Sequence, residues 1–413
     1  MRENDRQFLR MIDKMITGDL QQEDLFRDTN WGEMFALAHN NSMESILFDV
    51  ADSQRGMDNE LRVQWSRFRM LTLISEKQKL FSLQLVLDKA KEKNIEFTIF
   101  KGCILADLYP VYALRTSSDT DILISREDEE TAIGIFKECG YEFNEEHSKG
   151  NVYIFYNPQY KHMVELHFSL YEDYEGAKIE TLKKMELDRK ESRVHINACG
   201  IEVTTLGYEE HLIYQLFHII KHFTVEGVGI RYLSDITLYI NRYFDKIDFK
   251  DFWNKMKKLG YTVFCEKFFA ICVDNLGMDK RVFDDHRCDV KEQDYILLLE
   301  DLLCKGNIDS DREASWQILG IMTPYLVGNE RVSDNKLMRK MQVLFPSADN
   351  LPDEFAYAKR HKWLLPIAWI HKCIRYVIRR TKHADAWYTP NQKLSAAEYR
   401  LALVKDTGLT GDR

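Results

Sequence analysis

At 413 residues the chain is too long for one ordinary core, and two to four domains or subdomains are implied. Its 45 % hydrophobic and 30 % charged residues describe a globular protein and exclude a disordered one, and no uncharged apolar run reaches the roughly 18 residues of a transmembrane helix. A formal net charge of −9 argues against a broad nucleic-acid-binding surface, which must be basic to displace counterions, but leaves room for a local basic pocket around a phosphate.

Residues 1–91 read as helices. Phe8, Leu9, Met11, Ile12 and Ile16 recur at helical spacing, as do Trp31, Met34, Phe35 and Leu37. Leu61 to Leu87 reads as one long amphipathic helix. The amphipathic, acid-containing start MRENDRQFLRMIDKMI lacks the apolar stretch of a signal peptide. The eight cysteines form no CxxC pair and match neither a zinc site nor a disulfide framework. Scattered reduced thiols fit the cytosol, so a cytoplasmic protein is expected.

The pattern changes near residue 92. Ile95–Phe100 is strand-like, Lys101-Gly102 turns, and Cys103–Leu108 is helix-prone until Tyr109-Pro110. Asp119–Ile124 is the second strand. Ser125 has the features of a helix N-cap, with Asp128 in a capping-box-like place, and the helix runs from about 127 to 138. Asn151–Tyr156 and His162–Ser169 are strands, and Val194–Ala198 with Ile201–Thr205 form a hairpin around Cys199-Gly200. From Glu209 the helical period returns and lasts to about 305. Gly306–Ala314 reads as a loop, Pro346 to Pro352 as a break, and 355–383 as the last helix. The expected fold is α+β, with a small mixed sheet at 92–205 between helical segments at 1–91, 206–305 and 306–413.

Chemistry is expected in the mixed block. Asp119 and Asp121 are two residues apart on a strand, so their side chains share a face, while Ile122 and Ile124 face the core. Two carboxylates on one face repel and raise each other's pKa, a conflict that a divalent cation resolves. Glu165 and His167 alternate with core-facing Val164, Leu166 and Phe168 on another strand. Three carboxylates on neighbouring strands can hold two metals for an in-line phosphoryl displacement. Gly102 permits close backbone approach, the following helix start offers N–H groups to phosphate, and Arg115 suits a bidentate phosphate contact.

At FKGCILADLYP, RTSSDTDILI, ECGY and VELHFSL the chain resembles the uncharacterised nucleotidyltransferase family, whose fold is that of DNA polymerase β-like nucleotidyltransferases. Members carry Lys-Gly, an Arg shortly before an Asp-Ile-Asp-Leu strand, and a Glu-Leu-His strand. Thr120 stands here for the middle Ile and leaves the carboxylates intact. The resemblance extends into EEHLIYQLFHIIKHF and RYLSDITLYI, and more weakly into LFPSADNLPDEF. It implies that Asp119 and Asp121 hold two Mg²⁺ ions, with Mn²⁺ a possible substitute. Glu165 then completes the catalytic-metal site and helps deprotonate an acceptor hydroxyl. Lys101, Gly102, Arg115, Ser118 and His167 become nucleotide-binding candidates, joined by Lys221 and His222 on a helix beside the site. The usual Gly-Ser or Gly-Gly pair is Gly102-Cys103 here, which removes a serine contact and leaves backbone N–H groups.

The expected activity is transfer of a nucleoside monophosphate from an NTP to a hydroxyl of a small molecule, sugar or protein, releasing pyrophosphate. The acidic balance disfavours a long nucleic-acid acceptor. Two rival readings are an inactive nucleotide-binding protein of this fold and a peripheral membrane or assembly protein using the basic segment 355–383. That segment is expected to pack its apolar face on its own protein. His218 and His222 have an i,i+4 spacing that suits zinc, and Arg231 and Asp235 one that suits a surface ion pair.

Overall fold

The structure is a computed structural model that describes residues 1–171, 177–225, 227–304, 355–382 and 399–409, with Phe345, Ala348 and Leu351. Four helices come first: α1 (Glu3–Thr17), α2 (Trp31–Asn40), α3 (Glu44–Ser53) and α4 (Asn59–Glu92). Phe8, Leu9, Met11 and Ile12 lie on the buried side of α1, as their spacing predicts. Asp58 caps α4 by accepting from the Leu61 N–H at 2.9 Å. At 34 residues α4 is about 51 Å long and serves two cores. Trp65 is buried with the helices, whereas Leu83, Val86 and Ala90 pack on the sheet.

The sheet has seven strands in the order β3-β4-β5-β2-β1-β7-β6. They are β1 (Thr98–Phe100), β2 (Thr120–Leu123), β3 (Glu142–Lys149), β4 (Val152–Asn157), β5 (His162–His167), β6 (Val194–Ala198) and β7 (Ile201–Thr205). Two helices fall between β1 and β3, the short α5 (Gly102–Ala106) and α6 (Glu129–Glu138). α7 (Ala177–Lys183) follows β5. β2 pairs antiparallel with β1 and parallel with β5, so the sheet is mixed. Ile99, Ile122, Ile124, Val164 and Leu166 face α4 and α6 in one core. Phe100 and Leu123 face the other way, into the helical core.

Sequence periodicity missed β3, because EFNEEHSK has no apolar alternation. It is an edge strand paired to β4 alone, with a register shift between Asn144 and Lys149, and an edge tolerates polar residues on both faces. Ser125 accepts from the Glu127 N–H at 3.4 Å and leads into a single 3₁₀ turn, so α6 begins at Glu129 and the expected capping box with Asp128 does not form.

A buried polar chain crosses the sheet core. Ser82 of α4 lies 2.6 Å from the Tyr141 hydroxyl, which lies 2.6 Å from His162 Nδ1, and His162 Nε2 lies 2.9 Å from Thr120 Oγ1. A neutral imidazole supplies one donor and one acceptor, and burial holds this one neutral by lowering its pKa to about 3. The chain ties α4 to the strand that carries Asp121. His162→Phe fills the space but orphans the hydroxyls of Tyr141 and Thr120. It is expected to cost about 2–3 kcal/mol, read as a lower urea midpoint with an unchanged m-value.

After β7 come α8 (Tyr208–Val225), α9 (Arg231–Tyr243), α10 (Phe249–Leu259), α11 (Thr262–Leu276) and α12 (Glu292–Leu303). Their apolar sides and those of α1–α3 share one cluster, joined by Leu403 and Val404. Arg400 reaches this core through a fully buried bidentate pair with Asp301, at 2.7 and 2.9 Å. The expected last helix is two helices, α13 (Ala356–Arg360) and α14 (Leu365–Lys382), separated at His361–Leu364. Pro366 sits in the first turn of α14, where its missing N–H costs no helical hydrogen bond. The expected loop at 306–314 and the prolines 346 and 352 lie outside the described residues.

Candidate active site

Parallel pairing of β2 with β5 sets the site. Asp121 is the direct partner of Glu165, and Leu123 of His167, so the two acids and the imidazole share a face. Phe100, opposite Asp121 on the other side, lines the same face. Ligand atoms of Asp121, Glu165 and His167 lie within 4.8 Å of one another, the only such grouping among the described residues. Asp119, one residue before β2, is half-buried beside them and outside that triple. The rings of His218 and His222 stand 4.4 Å apart, but the pair belongs to no group of three or more metal-ligating side chains among the described residues.

The two carboxylates offer the hard oxygens that Mg²⁺ or Mn²⁺ prefers, whereas the imidazole is not a usual Mg²⁺ ligand. His167 Nε2 is buried without a hydrogen-bond partner, 3.2 Å from Asp121 Oδ1 and 3.5 Å from Glu165 Oε2. The distances suit ion pairing, but the directions miss hydrogen bonding. Burial opposes protonation of His167, yet Asp121 and Glu165 raise its pKa above the ordinary value.

Lys101 supplies the counter-charge. Its Nζ lies 3.1 Å from Asp121 Oδ1 and 5.6 Å from the centre of the Tyr214 ring. Burial opposes the charge of Lys101, but Asp121 raises its pKa, and the pair stays ionised. Burial likewise opposes Asp121, which Lys101 and His167 nonetheless hold down to about 2. Asp119 behaves in the opposite way. Burial, then Asp121 and Glu165, push it up to about 6. The expected mutual repulsion therefore falls on Asp119 alone, because Lys101 rescues its neighbour.

The turn is strained where it meets the site. Lys101 adopts φ 62°, ψ −135°, a conformation that side chains disfavour by about 1–3 kcal/mol. Its N–H donates to His211 Nε2 at 3.2 Å, and His211 is fully buried. Gly102 has φ +40°, whereas a Cβ there would meet nothing closer than 3.9 Å. Backbone conformation demands this glycine, not close packing. α5 is only five residues long, so its dipole is small.

Arg115 is engaged elsewhere. Its guanidinium donates to both Asp235 oxygens, at 2.8 and 2.9 Å, and Tyr109 donates to the same carboxylate at 2.8 Å. Arg115 is 6 % and Asp235 1 % exposed, which removes both from the solvent-facing roles expected of them. Arg231 donates to the Thr116 carbonyl and hydroxyl at 3.1 and 2.9 Å, in place of the expected pair with Asp235. Gly102 and Arg115 also line a cleft with Lys79, whose Nζ is 2.8 Å from Glu76 and bonded to the Ser117 carbonyl.

Ser118 is exposed and directly precedes the half-buried Asp119. α8 passes the site through His211 and Tyr214. Lys221 and His222 lie half-buried farther along it. Sequence reasoning missed His211, Tyr214 and Phe100. One available signal was a histidine at position 211 among apolar residues of α8, a buried polar side chain that needs a partner.

A family model described as an uncharacterised nucleotidyltransferase matches residues 27–277, more than half of the chain. No curated protein and no solved structure matches it.

Proposed function

The chain belongs to this family of uncharacterised nucleotidyltransferases, and from that premise we propose that it moves a nucleoside monophosphate from an NTP to a hydroxyl acceptor, releasing pyrophosphate. The observation that carries the reading is Asp121 paired in register with Glu165, both within ion-pairing distance of His167 Nε2. Asp119, Asp121 and Glu165 would hold Mg²⁺, which would supply charge neutralisation at the triphosphate.

The chain's own residues do the rest. Asp121 orients Lys101, and the strained turn fixes Lys101 and Gly102 beside the carboxylates. The Lys101 ammonium offsets phosphate charge when a nucleotide competes for it. Glu165 is less buried than Asp121 and accepts the acceptor's proton. His167, Ser118, Lys221 and His222 contribute phosphate or acceptor contacts around this centre. Catalysis is then mostly positioning and preorganised charge. Incubation with each α-labelled NTP, Mg²⁺ and a host-cell metabolite extract is expected to give labelled product and pyrophosphate. No labelled product with any of the four NTPs overturns transfer in favour of binding alone.

The two aspartates give the metal-free protein a pH signature. Asp119 has a folded pKa of about 6, above its ordinary 3.8. Its contribution to stability is therefore full below 3.8 and lost as pH rises through about 6. Asp121, held at about 2, contributes above 3.8 and loses that contribution as pH falls towards 2. In EDTA, Asp119→Asn is expected to raise the melting temperature more at pH about 7 than at pH about 5. An equal rise at both values contradicts a strained Asp119 carboxylate.

A further inference from the structure

Residues 355–383 contain eight lysines and arginines and no aspartate or glutamate, although the whole chain carries −9. The remainder is thus more acidic than the total, and the basic charge is concentrated in one segment. α14 packs one side inward. Ala368 is fully buried with Leu351, Phe355 and Ala358, and Leu364 and Leu365 pack against them. The other side is aliphatic and open. Ile367 is 54 %, Ile370 61 % and Ile374 51 % exposed, at helical spacings of three and four. Trp363, just before the helix, is 75 % exposed. Of the apolar residues expected to pack on the protein, Leu364 does so, whereas Trp363, Ile370 and Ile374 are exposed.

We propose that α14 docks flat on an anionic lipid bilayer, with Trp363, Ile367, Ile370 and Ile374 in the boundary between headgroups and acyl chains. Removing this face from water is favourable, and its size and continuity exceed scattered surface hydrophobics. Tryptophan prefers that boundary because its ring is apolar and its N–H polar. The exposed Arg360 and Lys362 stand beside Trp363 and meet anionic headgroups, each cation adding about 1 kcal/mol. No described helix is long and apolar enough to cross a membrane, so the helix lies on the surface. Charge decides against two other occupants. A second copy would bring two basic helices together. A nucleic acid would satisfy the cations but leave the isoleucines facing a polar groove.

Flotation of the full chain with vesicles tests the proposal. Vesicles containing phosphatidylglycerol are expected to carry the protein, neutral phosphatidylcholine vesicles far less, and raised ionic strength should release it. The doubly substituted Ile367→Glu/Ile370→Glu protein should lose about tenfold or more of the bound fraction. Both positions are exposed, so its circular dichroism should stay unchanged. No flotation with anionic vesicles overturns the proposal. So does equal flotation with neutral ones, binding to mixed-sequence nucleic acid in place of vesicles, or a dimer in solution that the double substitution dissociates. The measurement needs no turnover, so its outcome is separate from the fate of the nucleotidyl-transfer reading.

Discussion

Asp121→Asn is expected to lower label transfer from NTP by at least about a thousandfold, equivalent to about 4 kcal/mol of lost transition-state stabilisation. Asp121 is the hub of the site. It is 2 % exposed, 3.1 Å from Lys101 Nζ, 3.2 Å from His167 Nε2 and in register with Glu165. Asparagine keeps the shape and removes the charge. It also leaves the Lys101 ammonium without its buried partner, so loss through a displaced turn must be separated from loss of the carboxylate. Glu165→Gln separates the two causes, because Glu165 is half-buried and forms no pair with Lys101. Loss of transfer in both variants, with folding retained, supports three carboxylates acting on one substrate. Transfer retained in both ends the proposal.

Arg115→Ala is expected to destabilise the fold by about 3–5 kcal/mol, because it strands Asp235 as a buried, uncompensated charge. Burial opposes ionisation of Asp235, and Arg115 nevertheless lowers its pKa. The Tyr109 hydroxyl on the same carboxylate cannot replace the lost charge. Arg115→Met with Asp235→Leu removes both charges and should recover most of the loss, giving a large coupling energy in a denaturation cycle. The pair fixes the segment that delivers Asp119 and Asp121 against α9. Its effect on chemistry is therefore expected through stability and positioning. If Arg115→Ala keeps its stability yet loses nucleotide affinity, Arg115 is a phosphate ligand and the pair is incidental.

The site was partly legible before folding. Alternation along Asp119–Ile124 and Met163–Phe168 predicts which side chains share a face, and Ile122, Val164 and Leu166 are indeed fully buried on the opposite one. The long helix over Leu61–Leu87 also lies within the observed α4. An arginine near an acidic strand suits phosphate as well as it suits carboxylate, so the sequence alone does not pair Arg115 with Asp235. That partner lies 120 residues away. Asp235 was read as a surface residue from its spacing to Arg231, although Leu233 and Ile236 beside it mark the buried arc of α9. β3 escaped because a polar edge strand has no local signature.

Local periodicity alone determined the fold class, the long helix and the shared face of the carboxylates, because backbone geometry makes side-chain direction a function of nearby sequence. Tertiary structure decided which charges meet: Lys101 with Asp121, Arg115 with Asp235, and His162 with both Tyr141 and Thr120. It also decided that the aliphatic side of α14 faces outward. Those outcomes depend on contacts between segments distant in sequence, where desolvation and pairing are settled only once the whole chain has packed.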